Sequence, residues 1–137
     1  MAGTLVANTI NTDTGLFSTN NAYTGICKAW VNFNGLSGAS PVIRASFNVS
    51  SVTRNSTGNY TLAFTSALSD ANYAPVFGGS AAFGTSASGN AWFAGVYTSS
   101  AGGSPALKST TQLQVGAANG GLTITDAPDI YVAILGN

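Results

Sequence analysis

The sequence predicts an all-β protein: a single antiparallel β-sandwich or jelly-roll-like domain over residues 26–137, preceded by an extended N-terminal arm over residues 1–25. Three observations predict it. Apolar residues recur at every second position in one stretch after another, while helical periodicity is hard to find. Segments rich in Gly, Ser, Asn and Pro separate these stretches at the spacing of short strands. With 137 residues, 45% of them hydrophobic, the chain is long and apolar enough for one core without staples.

The arm comes first. "GTLVANTINTDTGLFSTNNAYTG" holds one short apolar alternation, Leu5 to Ile10, and then a polar, turn-prone run. Leu5, Val6 and Ile10 are its candidates for attachment or oligomerisation. Such an arm pairs with a neighbouring chain, threads along an oligomer axis, or folds back as an edge strand.

The strands follow in order. In "ICKAWVNF", Cys27, Ala29, Val31 and Phe33 share one face, with Ile26, Lys28, Trp30 and Asn32 on the other. Trp30 therefore covers a second core layer or an oligomer interface. In "VIRASFNV", Ile43, Ala45, Phe47 and Val49 line one face of a single strand. "NYTLAFTS" places Tyr60, Leu62 and Phe64 together, and Asn55 to Asn59 forms a five-residue hairpin loop with Gly58 free to take a positive φ. "NYAPVFG" reads as a short strand that Pro75 confines to an edge or a bulge. "NAWFAGVYT", "TTQLQVGA" and "GLTIT" are the next strands, and "IYVAIL" is a last strand buried on both faces. Ser66 to Asp70 fits a single helical turn. No repeat of fixed period appears, which argues against solenoids and propellers.

Charge narrows the function. Charged residues make up only 6% of the chain, against about 25% in an ordinary soluble domain. Net charge is zero, so repulsion does little to keep copies apart. Either much of the surface meets other protein, or Ser, Thr and Asn solvate it alone. Lys28, Arg44, Arg54 and Lys108 are scattered and make no basic patch for nucleic acid. No apolar run approaches the roughly 20 residues of a membrane span, so no membrane insertion is expected. The N-terminus lacks the basic start and apolar stretch of a secretory signal, so synthesis in a cytoplasm is expected. Cys27 has no partner for a disulfide and sits in a strand pattern as a small hydrophobe. The sequons at Asn48, Asn55 and Asn59 carry no meaning without a secretory route.

Chemistry is sparse. With no His and no Glu, the usual general base and the commonest zinc ligand are both missing. Serines have no partner base, and neither "GGSAAFG" nor "SAGGSP" continues into a P-loop. No enzyme activity and no cofactor are expected. Asp126 and Asp129, in "TDAPD", are weak candidates for a metal such as Ca²⁺, but aspartates so placed more often shape a turn. Phe83, Trp92 and Tyr97 are candidate ligand-binding residues: aromatics beside Ser/Gly loops suit sugar recognition, the ring stacking on C–H faces. The same rings equally fill a core or an intersubunit contact.

"KAWVNFNG", followed by "IRASFNVSSVTRNSTGNYTLAFTSALSDANYAPVF", resembles a module of tail-fibre and other virion structural proteins of tailed bacteriophages, notably of marine and cyanobacterial hosts. The resemblance covers Lys28 to about Phe77, and "GTLVANTINTDTG" is similar to the segment that often precedes the module. It implies a non-enzymatic virion component, a homotrimer with strands packed about a threefold axis. Lys28, Trp30, Asn32, Phe33, Asn34 and Gly35 match its first strand and turn, and Ser46, Phe47, Asn48 and Val49 its second. Tyr60, Phe64 and Tyr73 match later strand positions. All match as structural positions, none as catalytic ones. The chain departs from long tail fibres in having little before the module, which leaves two expectations. One is a short fibre piece whose distal loops contact a host-surface glycan or protein. The other is a capsid decoration or head-fibre protein held by its N-terminal arm. A free carbohydrate-binding module or small hydrolase is the reading from outside the virion; the lack of His and Glu argues against the hydrolase, and a glycan array would test the module.

Overall fold

The computed structural model describes residues 9–12, 15–18, 25–36, 40–80, 92–97 and 108–136; at 9–12, 15–18, 92 and 93 the description is of backbone alone. β3 (Cys27–Asn34), β4 (Val42–Phe47), β7 (Ala74–Gly79) and β10 (Ile130–Leu135) form one antiparallel sheet, here called the front sheet, in the order β4-β3-β10-β7. β5 (Val49–Ser56), β6 (Asn59–Phe64), β8 (Trp92–Val96) and β9 (Gln112–Asn119) form the back sheet, in the order β5-β6-β9-β8. Among the described residues, β1 (Thr9–Thr12) and β2 (Gly15–Ser18) pair with each other and with no other strand, with Ile10 opposite Phe17.

The alternation read from the sequence packs the two sheets together. Ala29, Val31 and Phe33 of β3 lie beside Ile130, Val132 and Ile134 of β10, all buried. They meet Tyr60, Leu62 and Phe64 of β6 and Leu113 and Val115 of β9. Each such side chain contributes about 1.5–3 kcal/mol by leaving water. The ring edge contact of Phe33 with Tyr60, at 5.2 Å between centroids, joins the two sheets near one end. Phe64 and Tyr73 make a similar contact at 6.0 Å. Pro75 lies on β7, an edge strand, where its missing N–H interrupts no central ladder.

Several expectations are corrected. Ile43 to Val49 is not one strand. Asn48 adopts a left-handed backbone, with φ of 55°, and there the chain leaves the front sheet for the back one. Its side chain holds the crossing: Nδ2 donates to the carbonyls of Lys28 and Ser66, and Oδ1 accepts from the Ser66 N–H. Ile43 and Phe47 also face opposite ways. Phe33 is opposite Ile43 but Asn32 is opposite Ala45, so Arg44 is an extra residue that reverses the alternation. The hairpin loop between β5 and β6 is the tight turn Thr57–Gly58, with Gly58 at φ 63°, rather than five residues. "GLTIT" contributes only a single bridge, Ile124 to Ala118, and Ser66 to Asp70 has no helical turn. Tyr131 and Leu135 are 42% and 37% exposed, so β10 is buried on one face and not on both.

Candidate functional site: an apolar outer face

The outward side chains of the front sheet set it apart from the back sheet. Strand register aligns Phe47, Trp30, Ala133 and Val76 in one row across all four strands. Beside it, Ala45, Asn32, Tyr131 and Gly78 make a second row. Phe47 is 54% exposed, Val76 52% and Trp30 39%. Val42, on the same side as Asn34, and Leu135, opposite Ala74, extend the apolar surface. The outer rows of the back sheet read Thr53, Thr61, Gln114 and Ser51, Ala63, Gln112. Hydroxyls and amides line these β5, β6 and β9 rows, whereas the Phe47–Val76 row of the front sheet is hydrocarbon throughout.

The apolar face has relief. Trp30, Val76 and Tyr131 wall a hollow of about 440 Å³ over Ala133 and Gly78. The Tyr131 ring lies across Gly78, close enough that a Cβ there would rest in ordinary contact with it at 3.4 Å. On the far side of Trp30, Phe47 projects from the edge strand β4. Polar groups border the face: Arg44 donates to Asn32 Oδ1, to the Asp129 carboxylate and to the Pro128 carbonyl.

The candidate residues read from sequence fall elsewhere. Tyr97 is partly buried just after β8, its N–H donating to the Gln114 carbonyl at 3.1 Å. With Gly95, Gly116, Ala118 and Ile124 it lines a groove of about 350 Å³. Trp92 pairs with Asn119, but its side chain lies outside the described residues, as does Phe83 entirely. Leu5 and Val6 also lie outside them, and of Ile10 only the backbone is described.

Asp126 and Asp129 are each engaged by a different arginine. Asp126 accepts from Arg54 Nε and Nη2, from the Gly58 N–H at 2.8 Å and from the Tyr60 hydroxyl at 2.7 Å. The Arg54 hydrogen bonds, helped by those from Gly58 and Tyr60 and opposed by partial burial, hold its carboxyl down at about 2. Burial first, and then the bond to Asp126, push the Tyr60 phenol well above its ordinary value. These contacts tie the Thr57–Gly58 turn to the segment before β10, a structural use of the carboxylate. Among the described residues no three His, Cys, Asp or Glu gather as a metal site would require, and no helix is long and apolar enough to cross a membrane.

Sequence reasoning missed the apolar row. Its signal was present in "IYVAIL", apolar at successive positions, and in Trp30 opposite a face of small residues. No protein-family model, characterised protein or solved structure matches the chain.

Proposed function

We propose that this chain is a non-enzymatic structural protein of a bacteriophage virion, tail-fibre-like, working as a homotrimer whose distal loops contact the host surface. The observation that carries the reading is the outer row of the front sheet: a solitary domain gains nothing from a continuous hydrocarbon row across four strands, whereas a building part does. The absence of His and Glu and the zero net charge support the same reading. The resemblance of Lys28 to Phe77 to virion modules supplies the setting.

A second reading is favoured by one specific observation. Among the described residues β1 and β2 pair with each other and extend neither sheet of the sandwich. An arm whose two described strands pair with each other suits a capsid decoration or head-fibre protein that docks through it.

Immunogold labelling of intact phage particles, with antibody raised against the recombinant chain, tests both. Gold on the tail or its fibres is the expected result and directs host-binding assays to Phe83, Trp92 and Tyr97. Gold over the head favours the decoration reading, and absence from particles overturns both.

A further inference from the structure

We propose that the outer face of the front sheet is the contact between copies of this chain, with Phe47 of one copy seated in the hollow between Trp30, Val76 and Tyr131 of the next. The proposal deepens the assembly part of the function proposed above and rests on that part alone, not on the virion setting.

Three observations select a second copy as the occupant. The first is area. Phe47, Trp30, Val76, Tyr131, Leu135 and Val42, with the exposures given to them, leave on the order of 600 Å² of mostly apolar surface open. That is at the upper end of the largest patch on a typical monomer and approaches the roughly 800 Å² each partner gives a standard interface.

The second is shape. The face carries its own knob and its own hole. Phe47 stands on the edge strand β4, and the hollow opens over β10 and β7 at the other side of the sheet. A knob and a hole at separate places on one face match between copies and not within one. Such a contact closes a ring when each copy offers its knob to one neighbour and its hollow to the other, or closes a pair when the exchange is mutual.

The third is charge. Arg44 at the border is neutralised by Asp129, and the Phe47–Trp30–Ala133–Val76 row contains no ionisable side chain. Copies therefore approach face to face without stripping water from an unpaired charge in the row.

The test uses cysteine cross-linking of the full chain. Cys27→Ser removes the native thiol, and Ala45→Cys with Gly78→Cys, in the neighbouring row on the same edge strands, then places thiols beside knob and hollow while Phe47 and Val76 stay in place. Within one copy the two positions lie on opposite edge strands, three strand spacings or about 14 Å apart, beyond the roughly 7 Å limit for a disulfide. Copper phenanthroline as oxidant is expected to give covalent oligomers on a non-reducing gel, with each single-cysteine variant staying at monomer mass. Covalent trimers fit the ring. Covalent dimers alone would keep this contact while removing the trimer.

Light scattering supplies the second readout. Trp30→Gln and Val76→Gln, checked for retained strand content by circular dichroism, are expected to lower the solution mass to that of one 13.7 kDa chain. A wild-type protein that stays monomeric at hundreds of micromolar, or a double-cysteine variant that yields no covalent oligomer, overturns the proposal. The virion reading fails independently, on the absence of gold from particles.

Discussion

Arg54 on β5 and Asp126 in the segment before β10 meet through a forked contact, Nη2 donating to Oδ2 at 2.8 Å and Nε to both carboxylate oxygens at 3.0 Å. The Gly58 N–H and the Tyr60 hydroxyl complete the carboxylate's partners. A turn, a strand and a connecting segment are fixed by one side chain, and its ionisation state governs whether they stay fixed.

That dependence predicts acid sensitivity. The Asp126 carboxyl is held at about 2 in the folded protein against an ordinary 3.8, so its stabilising contribution is full above pH 4 and is lost as pH falls towards 2. Asp126→Asn is expected to cost about 2–3 kcal/mol at neutral pH through weakened charge-assisted hydrogen bonds. It is also expected to flatten the decline below pH 4. Thermal melts from pH 2 to 7 on both proteins check this, and equal slopes would contradict it.

Asn48 predicts an ordered series. Asn48→Gly keeps the left-handed backbone but loses the bonds to Lys28 and Ser66, for about 1–2 kcal/mol. Asn48→Ala loses the bonds and adds about 1 kcal/mol of backbone strain. Urea unfolding is expected to rank the wild type above the Gly variant and that above the Ala variant. Equal Gly and Ala values would show that φ at this position costs nothing.

Two phenols are expected to resist alkali. Burial pushes the Tyr73 phenol up to about 12, opposed in part by the Ser109 backbone, and Tyr60 is raised further. Because the fold favours the protonated phenol, stability is full below the ordinary value near 10 and falls as pH rises from 10 towards 12. Absorbance at 295 nm should leave part of the signal from the five tyrosines missing at pH 11 and recover it on unfolding. Tyr73→Phe removes one share of the missing signal and, by removing the hydroxyl that donates to the Ser109 and Gln112 carbonyls, costs about 1 kcal/mol.

Two glycines predict opposite outcomes. At Gly58 the φ of 63° and a Cβ only 2.6 Å from the Ala117 carbonyl oxygen make Ala cost about 2–3 kcal/mol. At Gly95 an added Cβ meets nothing within 4 Å among the described residues, and Ala gains up to about 1 kcal/mol. Chemical denaturation of the two variants side by side decides it.

The sequence exposed what depends on local alternation. The buried faces of β3 and β6 and the edge position of Pro75 were legible because period-two patterning and the missing proline N–H act within a few residues. Hidden were features set by distant partners. The inserted Arg44 turns Phe47 outward, and the alternation of Ile43 to Val49 gives no sign of it. Arg54 and Asp126 are 72 positions apart, with no pattern that joins them. β10 misled for a different reason: an apolar outer face and a buried one have the same composition, so Tyr131 and Leu135 looked like core.

The place of β10, between β3 and β7 in the front sheet, has a consequence for biosynthesis. A nascent chain emerges from the ribosome N-terminus first, and until residues 130–135 appear, the front sheet is two halves with open ladders facing a gap. During that interval β3 and β7 offer unpaired edges and an unfilled inner surface to every other nascent copy. Closure joins segments about a hundred residues apart, a slow step for a chain built from such distant pairings. Synthesis of many copies at once therefore sets translation against aggregation, and the yield of folded protein depends on how quickly the last strand is inserted.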